Sequence, residues 1–196
     1  MLDYEKRYPN SIIAGIDEAG RGPLAGPVVC ACVIMPMDEV IEGINDSKKI
    51  TEKKREILFD LIKEKAISYS IVEIDETTID EINILEATKL GMKKALEGLN
   101  VVPDIVLVDA VKIDSDIPQE NIIKGDALSY NIAAASILAK VHRDRLMKEM
   151  DEKYPEYQFA KHKGYGTKLH IELLKKFGRC KIHRKTFIKN FVDISA

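Results

Sequence analysis

The sequence lacks the features of a membrane, secreted or disordered protein. It has no tryptophan and three cysteines, and none of its apolar runs reaches the roughly 18 residues of a transmembrane helix. The opening MLDYEKRYPN contains no apolar core of a signal peptide. An odd cysteine count without a secretory signal favours reduced thiols. We therefore expect a cytoplasmic protein with no membrane segment.

Neither sign of charge dominates the whole chain. Its 196 residues carry 30 Lys or Arg and 32 Asp or Glu, a net charge of −2, and 45% of them are hydrophobic. This balance predicts a globular domain with a sizeable core. Cys30 and Cys32 fit such a core, because residues two apart on a strand point to the same face.

The even balance hides a basic segment. Residues 161–189 hold ten Lys or Arg against one acid, Glu172, which makes the segment +9 and the rest of the chain −11. Three of the four histidines, His162, His170 and His183, also lie in it. Such a segment is typical either of a solvated helix face or of a surface that binds a polyanion.

Strand and helix patterns alternate along the chain. Apolar, β-branched runs predict strands at 11–17, 27–34, 67–74, 105–109 and 121–124. Apolar stripes at helical spacing predict helices at 51–66, 79–99, 128–150 and 167–177, with Thr51 as an N-cap and Gly178 as a helix end. The inward positions of the first two helices are predicted to be Ile57, Leu58, Leu61, Ile62, Ile82, Leu85, Leu90 and Ala95. This order predicts an α/β fold with a mixed sheet.

Acidic residues stand at the carboxyl ends of two predicted strands. Asp17 and Glu18 end the first, Asp109 ends the fourth, and Asp126 stands near the start of the long helix. Sites form beyond such strand ends, and adjacent acids repel unless a cation lies between them. Four carboxylates suit Mg²⁺ or Mn²⁺, and two ions about 4 Å apart would clamp a phosphodiester. Asp126 as an N-cap, and Asp17 and Glu18 as turn residues, are the alternatives.

Four glycines surround the acidic pair: Gly15, Gly20, Gly22 and Gly26. They do not make a nucleotide phosphate loop, because Arg21 and Gly22 stand where Lys and Ser or Thr are required. A dinucleotide motif is interrupted by Pro23. The glycines indicate either bare backbone that a ligand approaches closely or a tight turn between strands.

The stretch IIAGIDEAGRGPLAGPV at 12–28 resembles the signature of the ribonuclease HII family, the type 2 ribonucleases H. Further blocks resemble the family in the same order, and the resemblance extends over about residues 12–188. These blocks are NDSKK (45–49), NILEATKLGM (83–92), VLVDA (106–110), KGDALSYNIAAASILAKVHRD (124–144), HKGYGTKLH (162–170) and HRKTF (183–187).

The resemblance implies a ribonuclease H fold, a five-stranded mixed sheet flanked by helices with a helical C-terminal region. We expect a catalytic domain over 1–150 and a basic helical region over 151–196 packed on it. The resemblance also implies an endonuclease that cuts the RNA strand of RNA–DNA hybrids and the 5′ side of a single ribonucleotide in duplex DNA. Two divalent ions, Mg²⁺ or Mn²⁺, would serve it, and the products would carry a 3′-hydroxyl and a 5′-phosphate.

Site roles follow from the same resemblance. The family's active-site acids and metal ligands match Asp17, Glu18, Asp109 and Asp126. Its Gly-Arg-Gly motif matches Gly20, Arg21 and Gly22, and its junction-sensing tyrosine matches Tyr165, which is otherwise a surface aromatic. Further phosphate contacts are predicted at Ser47, Lys48, Lys140, Arg143, His162 and Lys163, each of which is alternatively a surface or helix residue.

Two departures and several alternatives remain. Ala110 replaces a frequent glycine, and Leu128 replaces a frequent basic residue whose loss would weaken one phosphate contact. A nucleic-acid-binding module, a small phosphatase and a type 3 ribonuclease H are the other hypotheses. The short stretch before the first strand favours type 2, and no second Cys or His pair supports Cys180 and His183 as a zinc site. We expect a monomer.

Overall fold

A computed structural model describes residues 2–44, 47, 50–109 and 111–193 and contains one five-stranded sheet in the order β3-β2-β1-β4-β5. The strands are β1 (Ile13–Ala19), β2 (Val28–Ile34), β3 (Ser68–Ile74), β4 (Ile105–Asp109) and β5 (Gln119–Ile122). β2 is antiparallel to both β1 and β3, whereas β4 is parallel to both β1 and β5. The predicted mixed α/β sheet is confirmed.

Eight α-helices are present among the described residues: α1 (Glu52–Lys65), α2 (Glu76–Ile82), α3 (Ile84–Glu97), α4 (Gly125–Leu128), α5 (Tyr130–Lys153), α6 (Phe159–His162), α7 (Lys168–Phe177) and α8 (Lys185–Ile188). Short 3₁₀ helices cover Glu5–Arg7 and Pro155–Tyr157. The Thr51 hydroxyl caps α1, and α7 ends at Gly178 with φ 77°, as the sequence predicts. None of the described helices combines the length and apolar character needed to cross a membrane.

The predicted helix over 79–99 is wrong as a single element. Asn83 has a φ of 67°, and its side chain accepts hydrogen bonds from the amides of Leu85 and Glu86, so α2 ends there and α3 begins. The break rotates the buried face, which leaves Ile82 and Leu85 exposed. In α1 the expected inward residue Ile57 is 55% exposed, and Phe59 fills the core in its place.

Two helical layers cover the sheet and bring α5 against β1. A Cβ on Gly15 would lie 2.2 Å from the backbone of Asn131, so only glycine permits this close approach. The opposite face packs on α3 and buries Cys30 and Cys32 in the core, as predicted. α5 therefore runs beneath the end of β1 where the acidic pair stands.

The C-terminal region is joined to the loop between β1 and β2. Within that loop the Leu24 amide donates to the Gly164 carbonyl at 2.8 Å, and the Gly26 amide donates to the Ile182 carbonyl at 2.9 Å. The Arg184 amide donates back to the Leu24 carbonyl at 2.9 Å. The domain boundary at residue 150 stays a prediction, and α5 runs past it to Lys153.

Candidate active site

The parallel pairing of β1 and β4 places two predicted acids side by side. Ile16 is in register with Val108, so Asp17 and Asp109 follow at the same edge of the sheet. An Asp109 carboxylate oxygen accepts a hydrogen bond from the Gly125 amide at 3.0 Å. This bond ties the start of α4 to the strand end, and Asp126 lies buried in the first turn of α4. Asp126 is therefore not the N-cap of the long helix, which is Ser129.

Asp17 is a strongly perturbed acid at this edge. Its side chain is 5% exposed, and burial raises its pKa well above the ordinary value, with the charges of Glu18 and Asp109 adding to the rise. Hydrogen bonds from the Glu18 amide, at 2.7 Å, and from the Ser136 hydroxyl oppose that rise. A buried carboxylate beside two others is an arrangement that a bound cation would stabilise.

The donor chemistry of this edge fits a hard divalent cation. Successive strand residues point to opposite faces, so Glu18 projects away from Asp17 and lies 3.6 Å from the Arg21 guanidinium. In the described part of the chain, no group of three His, Cys, Asp or Glu side chains closes around a metal position by itself. Mg²⁺ is typically held by one or two carboxylates, with water and substrate phosphate completing its shell, and the carboxylates here suit that mode.

An open cleft of about 410 Å³ lies in front of Asp17 and Glu18. It gathers residues from β1, from the loop after it, from α5 and from the loop before α7. Its lining consists of Asp17, Glu18, Ala19, Gly20, Arg21, Gly22, Ser47, Ser136, Lys140 and Tyr165. Sequence reasoning missed Ser136, whose position inside the small-residue run IAAASILA gives no sign of its contact with Asp17.

Two glycines of the loop have different reasons to be glycine. Gly20 has a φ of 96°, and a Cβ on it would lie 2.0 Å from Nε of Arg143. Gly22 is different, because a Cβ there would meet no protein atom within 4 Å. Protein packing therefore does not require glycine at this cleft position, whereas close approach of a ligand would.

A buried arginine holds the loop from behind. Arg184 is 0% exposed, and its guanidinium donates to the carbonyls of Gly20 at 2.6 Å, Arg21 at 2.9 Å and Gly26 at 2.8 and 2.9 Å. In a trans peptide the N–H points opposite to the C=O, so the amides of Arg21 and Gly22 point away from Arg184, and both residues line the cleft. Burial, with a smaller contribution from Arg143, lowers the pKa of Arg184 to about 9.

Two predicted phosphate contacts lie in the interior instead. The buried Arg143 guanidinium donates to the carbonyls of Ala25, Pro27 and Lys163 at 3.0–3.1 Å. His162 is also buried, with Nε2 2.8 Å from the Tyr157 carbonyl and Nδ1 accepting from the Gly164 amide at 3.2 Å. Their polar or charged side chains predicted phosphate contacts, but hydrogen bonds to backbone groups hold both side chains in the interior.

Two of the remaining candidates, Ser47 and Lys140, line the cleft. The Lys140 Nζ lies 2.7 Å from a carboxylate oxygen of Asp144, which is buried. The Ser47 hydroxyl is 2.7 Å from that of Ser136, and Lys163 is half-buried and bonded to the Ala160 carbonyl. Lys48 and Ala110 lie outside the described residues. Leu128 is exposed.

Tyr165 joins the cleft from the C-terminal region. Its ring is 42% exposed, lines the cleft and lies 5.7 Å from the Arg143 guanidinium carbon. The structure thus brings Tyr165 and the Gly-Arg-Gly motif, 143 residues or more apart along the chain, to one cleft with Asp17 and Glu18. A ring in that place can contact a ligand that also reaches the carboxylates.

Comparison with known proteins agrees with this geometry. A sequence model of the ribonuclease HII family matches residues 14–190. Ribonuclease HII of Acetivibrio thermocellus is 61% identical over 190 residues, which cover 96% of this chain and 73% of that one. The match to ribonuclease HII of Ruminiclostridium cellulolyticum is 59% over 197 residues, covering 98% and 77% of the two chains. The crystal structure of ribonuclease H2 from Pyrococcus horikoshii has a TM-score of 0.76 at 29% identity, and the match covers 89% of this chain and 92% of that one.

The alternatives are decided by the family match. It extends over most of the chain and concerns type 2 ribonucleases H, so the phosphatase and the non-catalytic module are set aside. The chain belongs to the ribonuclease HII family of divalent-metal-dependent nucleases and is a ribonuclease H endonuclease.

Proposed function

We propose that this cleft cuts the RNA strand of RNA–DNA hybrids and the 5′ side of single ribonucleotides in duplex DNA. The observation that carries the proposal is that Asp17 and Glu18 share one cleft with a loop whose carbonyls are held by Arg184, so that its amides point away from Arg184. The acids supply metal ligands, and the loop supplies donors that can reach a 2′-hydroxyl, the group that distinguishes RNA from DNA.

Asp17 and Asp109 would hold Mg²⁺ or Mn²⁺, with Glu18 and Asp126 completing the ligand set. When two such ions are bound, they supply a nucleophilic water at neutral pH and stabilise the 3′-oxygen that leaves. The Ser136 hydroxyl and the Glu18 amide keep the Asp17 carboxylate in place through the hydrogen bonds already described. The products would carry a 3′-hydroxyl and a 5′-phosphate.

The loop and Tyr165 would select the scissile position. The amides of Arg21 and Gly22 point away from Arg184 and would donate hydrogen bonds to the substrate next to its 2′-hydroxyl. The Tyr165 ring would pack on the sugar that follows the ribonucleotide. A deoxyribose at that position leaves room for the ring because it lacks the 2′-hydroxyl. Lys140 and the basic segment would contact phosphates of the duplex. The enzyme would act as a monomer in the cytoplasm, where its three free cysteines stay reduced.

Cleavage of end-labelled duplexes tests the proposal. Three matched duplexes are needed, one with a single ribonucleotide, one continuous hybrid and one of DNA alone, each with Mg²⁺, with Mn²⁺ or with chelator. We expect metal-dependent cuts in the first two and none in the third, with 3′-hydroxyl ends. Cleavage that persists in chelator would contradict the metal assignment. Efficient cleavage of the hybrid alone would contradict the single-ribonucleotide activity.

A further inference from the structure

Three buried histidines lie directly behind the loop that carries Tyr165. His162 and His170 stack with ring centroids 4.3 Å apart, and Nε2 of His170 lies 3.1 Å from Nε2 of His183. All three rings are buried against the aromatic rings of Tyr157 and Phe159. The proposed chemistry of the cleft does not use these histidines.

Backbone groups at both ends of the His183–His170 pair fix where its protons lie. The Cys180 amide can only donate, and it donates to Nδ1 of His183 at 3.0 Å, so neutral His183 carries its proton on Nε2. That proton is donated to Nε2 of His170, which must therefore carry its own proton on Nδ1. The His170 Nδ1 lies 3.0 Å from the Tyr165 carbonyl, which can only accept. One consistent chain of donors thus runs from Cys180 to Tyr165.

Only the neutral pair can make this chain. A proton added to Nε2 of His170 would face the N–H of His183, and one added to Nδ1 of His183 would face the Cys180 amide. Burial, together with the charges of neighbouring histidines, lowers the pKa of His170 to about 4 and that of His183 to about 3. Burial also raises the pKa of the Cys180 thiol, 3.1 Å from the His183 Nδ1, to about 11, so that the thiol stays protonated.

This chain of hydrogen bonds ends at the Tyr165 carbonyl, where the loop needs a restraint. Tyr165 stands between Gly164, whose φ is 83°, and Gly166, so both neighbours allow the peptide wide conformational freedom. The Thr167 amide donates to the Tyr165 carbonyl at 2.8 Å, and His170 is a second donor to that oxygen. The Tyr165 amide also donates to the His162 carbonyl at 2.9 Å, so the peptides on both sides of Tyr165 are held and set the direction of the Cα–Cβ bond from which the ring extends.

We propose that His170, oriented by His183, is a positioning residue that holds the Tyr165 ring at the cleft and thereby sets the preference for an RNA–DNA junction. This inference rests on the proposed role of Tyr165. It assigns to the histidines of the basic segment a task that their position in a polyanion-binding stretch does not suggest. They act as neutral hydrogen-bonding groups and not as phosphate contacts.

Nitrogen NMR of the wild-type protein labelled at histidine tests the proton assignment without any substrate. The chain has four histidines, and His142 on the outer side of α5, 2.7 Å from Glu73, provides an internal comparison. We expect the Nδ1–H form for His170 and the Nε2–H form for His183 at neutral pH. An Nε2–H or doubly protonated His170 would overturn the inference.

A matched pair of substitutions tests the positioning role. His170→Asn places an amide nitrogen where Nδ1 lies and keeps the donor to Tyr165, whereas His170→Gln places its amide near Nε2 and loses that donor. The readout is the ratio of the cleavage rate on a single-ribonucleotide duplex to that on a continuous hybrid, at fixed salt and Mn²⁺. We expect His170→Gln to lower the ratio by about three- to tenfold, the worth of one hydrogen bond, and His170→Asn to keep it. His142→Asn is the control and should leave it unchanged.

The outcomes separate this inference from the proposed function. If Tyr165→Ala lowers the ratio and His170→Gln then lowers it no further in that background, the two residues act as one unit. If Tyr165→Ala lowers the ratio but His170→Gln and His170→Asn alone leave it unchanged, the histidines only stabilise the fold and the inference is overturned. If Tyr165→Ala itself has no effect on the ratio, the proposed role of Tyr165 fails, and the positioning role fails with it. The NMR assignment tests the inference even where a variant does not fold.

Discussion

The acidic cleft and the C-terminal region both bury ionisable side chains, but in opposite ways. At the cleft, Asp17 is buried beside Glu18 and Asp109, and its burial, with the two like charges adding to the effect, raises its pKa. In the C-terminal region, Arg184 makes four hydrogen bonds to backbone carbonyls, and the His170–His183 pair is bonded at both ends. The cleft is an arrangement that a cation would stabilise, whereas the C-terminal groups are already satisfied. We therefore expect the acidic cleft to do the chemistry and the C-terminal region to hold the loops that would contact the substrate.

Asp17→Asn should have the largest effect of these substitutions, on the rate of cleavage. Loss of one metal ligand should slow cleavage by about a thousandfold or more, because metal stabilisation contributes several kcal/mol. Without metal, the melting temperature should hold or rise, since one of three repelling charges is gone. Single-turnover cleavage and thermal melts measure the two effects. Asp60→Asn on the outer face of α1 is the matched control, and near wild-type cleavage by Asp17→Asn at low Mg²⁺ would refute the ligand role.

Arg184→Met should have the next largest effect, a loss of folding stability. It leaves the carbonyls of Gly20, Arg21 and Gly26, two of them buried, without their charged donor, which should lower the free energy of unfolding by about 3 kcal/mol or more. Arg145→Met removes a more exposed arginine that pairs with Glu56 and should cost about 1 kcal/mol or less. Urea unfolding of both variants measures the difference. Equal losses would mean that Arg184 does not hold the loop.

Lowering the pH should change folding stability in opposite directions through the two regions. An unfolded histidine takes up a proton below pH 6.5, whereas folded His170 and His183 stay neutral down to about pH 4 and about pH 3. Stability should therefore fall as the pH drops from 6.5 to 5, by about 2 kcal/mol for each histidine. Asp17 has a raised pKa and acts oppositely, so the stability gained by Asp17→Asn should shrink as the pH falls. Urea unfolding at several pH values measures both trends. A His170→Phe, His183→Phe variant that keeps the wild-type slope would contradict the histidine assignment.

Tyr165→Ala should have a smaller effect on the cleavage rate, and mainly on one substrate. Loss of ring–sugar packing, about 1.4 kcal/mol, should slow single-ribonucleotide cleavage about tenfold. A continuous hybrid should respond less, because the sugar that follows the cut is a ribose there. Tyr165→Phe keeps the ring and should lose less. Equal losses by Tyr165→Ala on both substrates, at fixed salt and Mn²⁺, would return Tyr165 to a surface aromatic.

The smallest effect is expected on the salt dependence of binding. Lys175, Lys176 and Lys181 are exposed in the basic segment. Each phosphate contact contributes a slope of about −0.9 in log affinity against log salt. Neutralising the three lysines should flatten the slope for hybrid duplex by up to about 2.7. An unchanged slope would mean that they form only a solvated helix face.

The sequence predicted best what depends on local pattern. β4 matches its prediction because Pro103 and Asp109 bound an uninterrupted apolar run, and α7 matches because Thr167 and Gly178 mark its ends. The break at Asn83 depends on one residue in the left-handed region, which an apolar stripe does not reveal. Arg143 and Arg184 were harder still, because charge predicts exposure, whereas their acceptors lie 20 to 164 residues away along the chain.

The division of labour between the two regions can be tested in one measurement. Single-turnover cleavage of a hybrid across a range of enzyme concentrations yields both the rate at saturation and the concentration needed to reach it. We expect Asp17→Asn to lose the rate but keep the half-saturating concentration, and the triple lysine variant to raise that concentration but keep the rate. If either variant changed both quantities together, the acidic cleft and the basic region would not have separate roles.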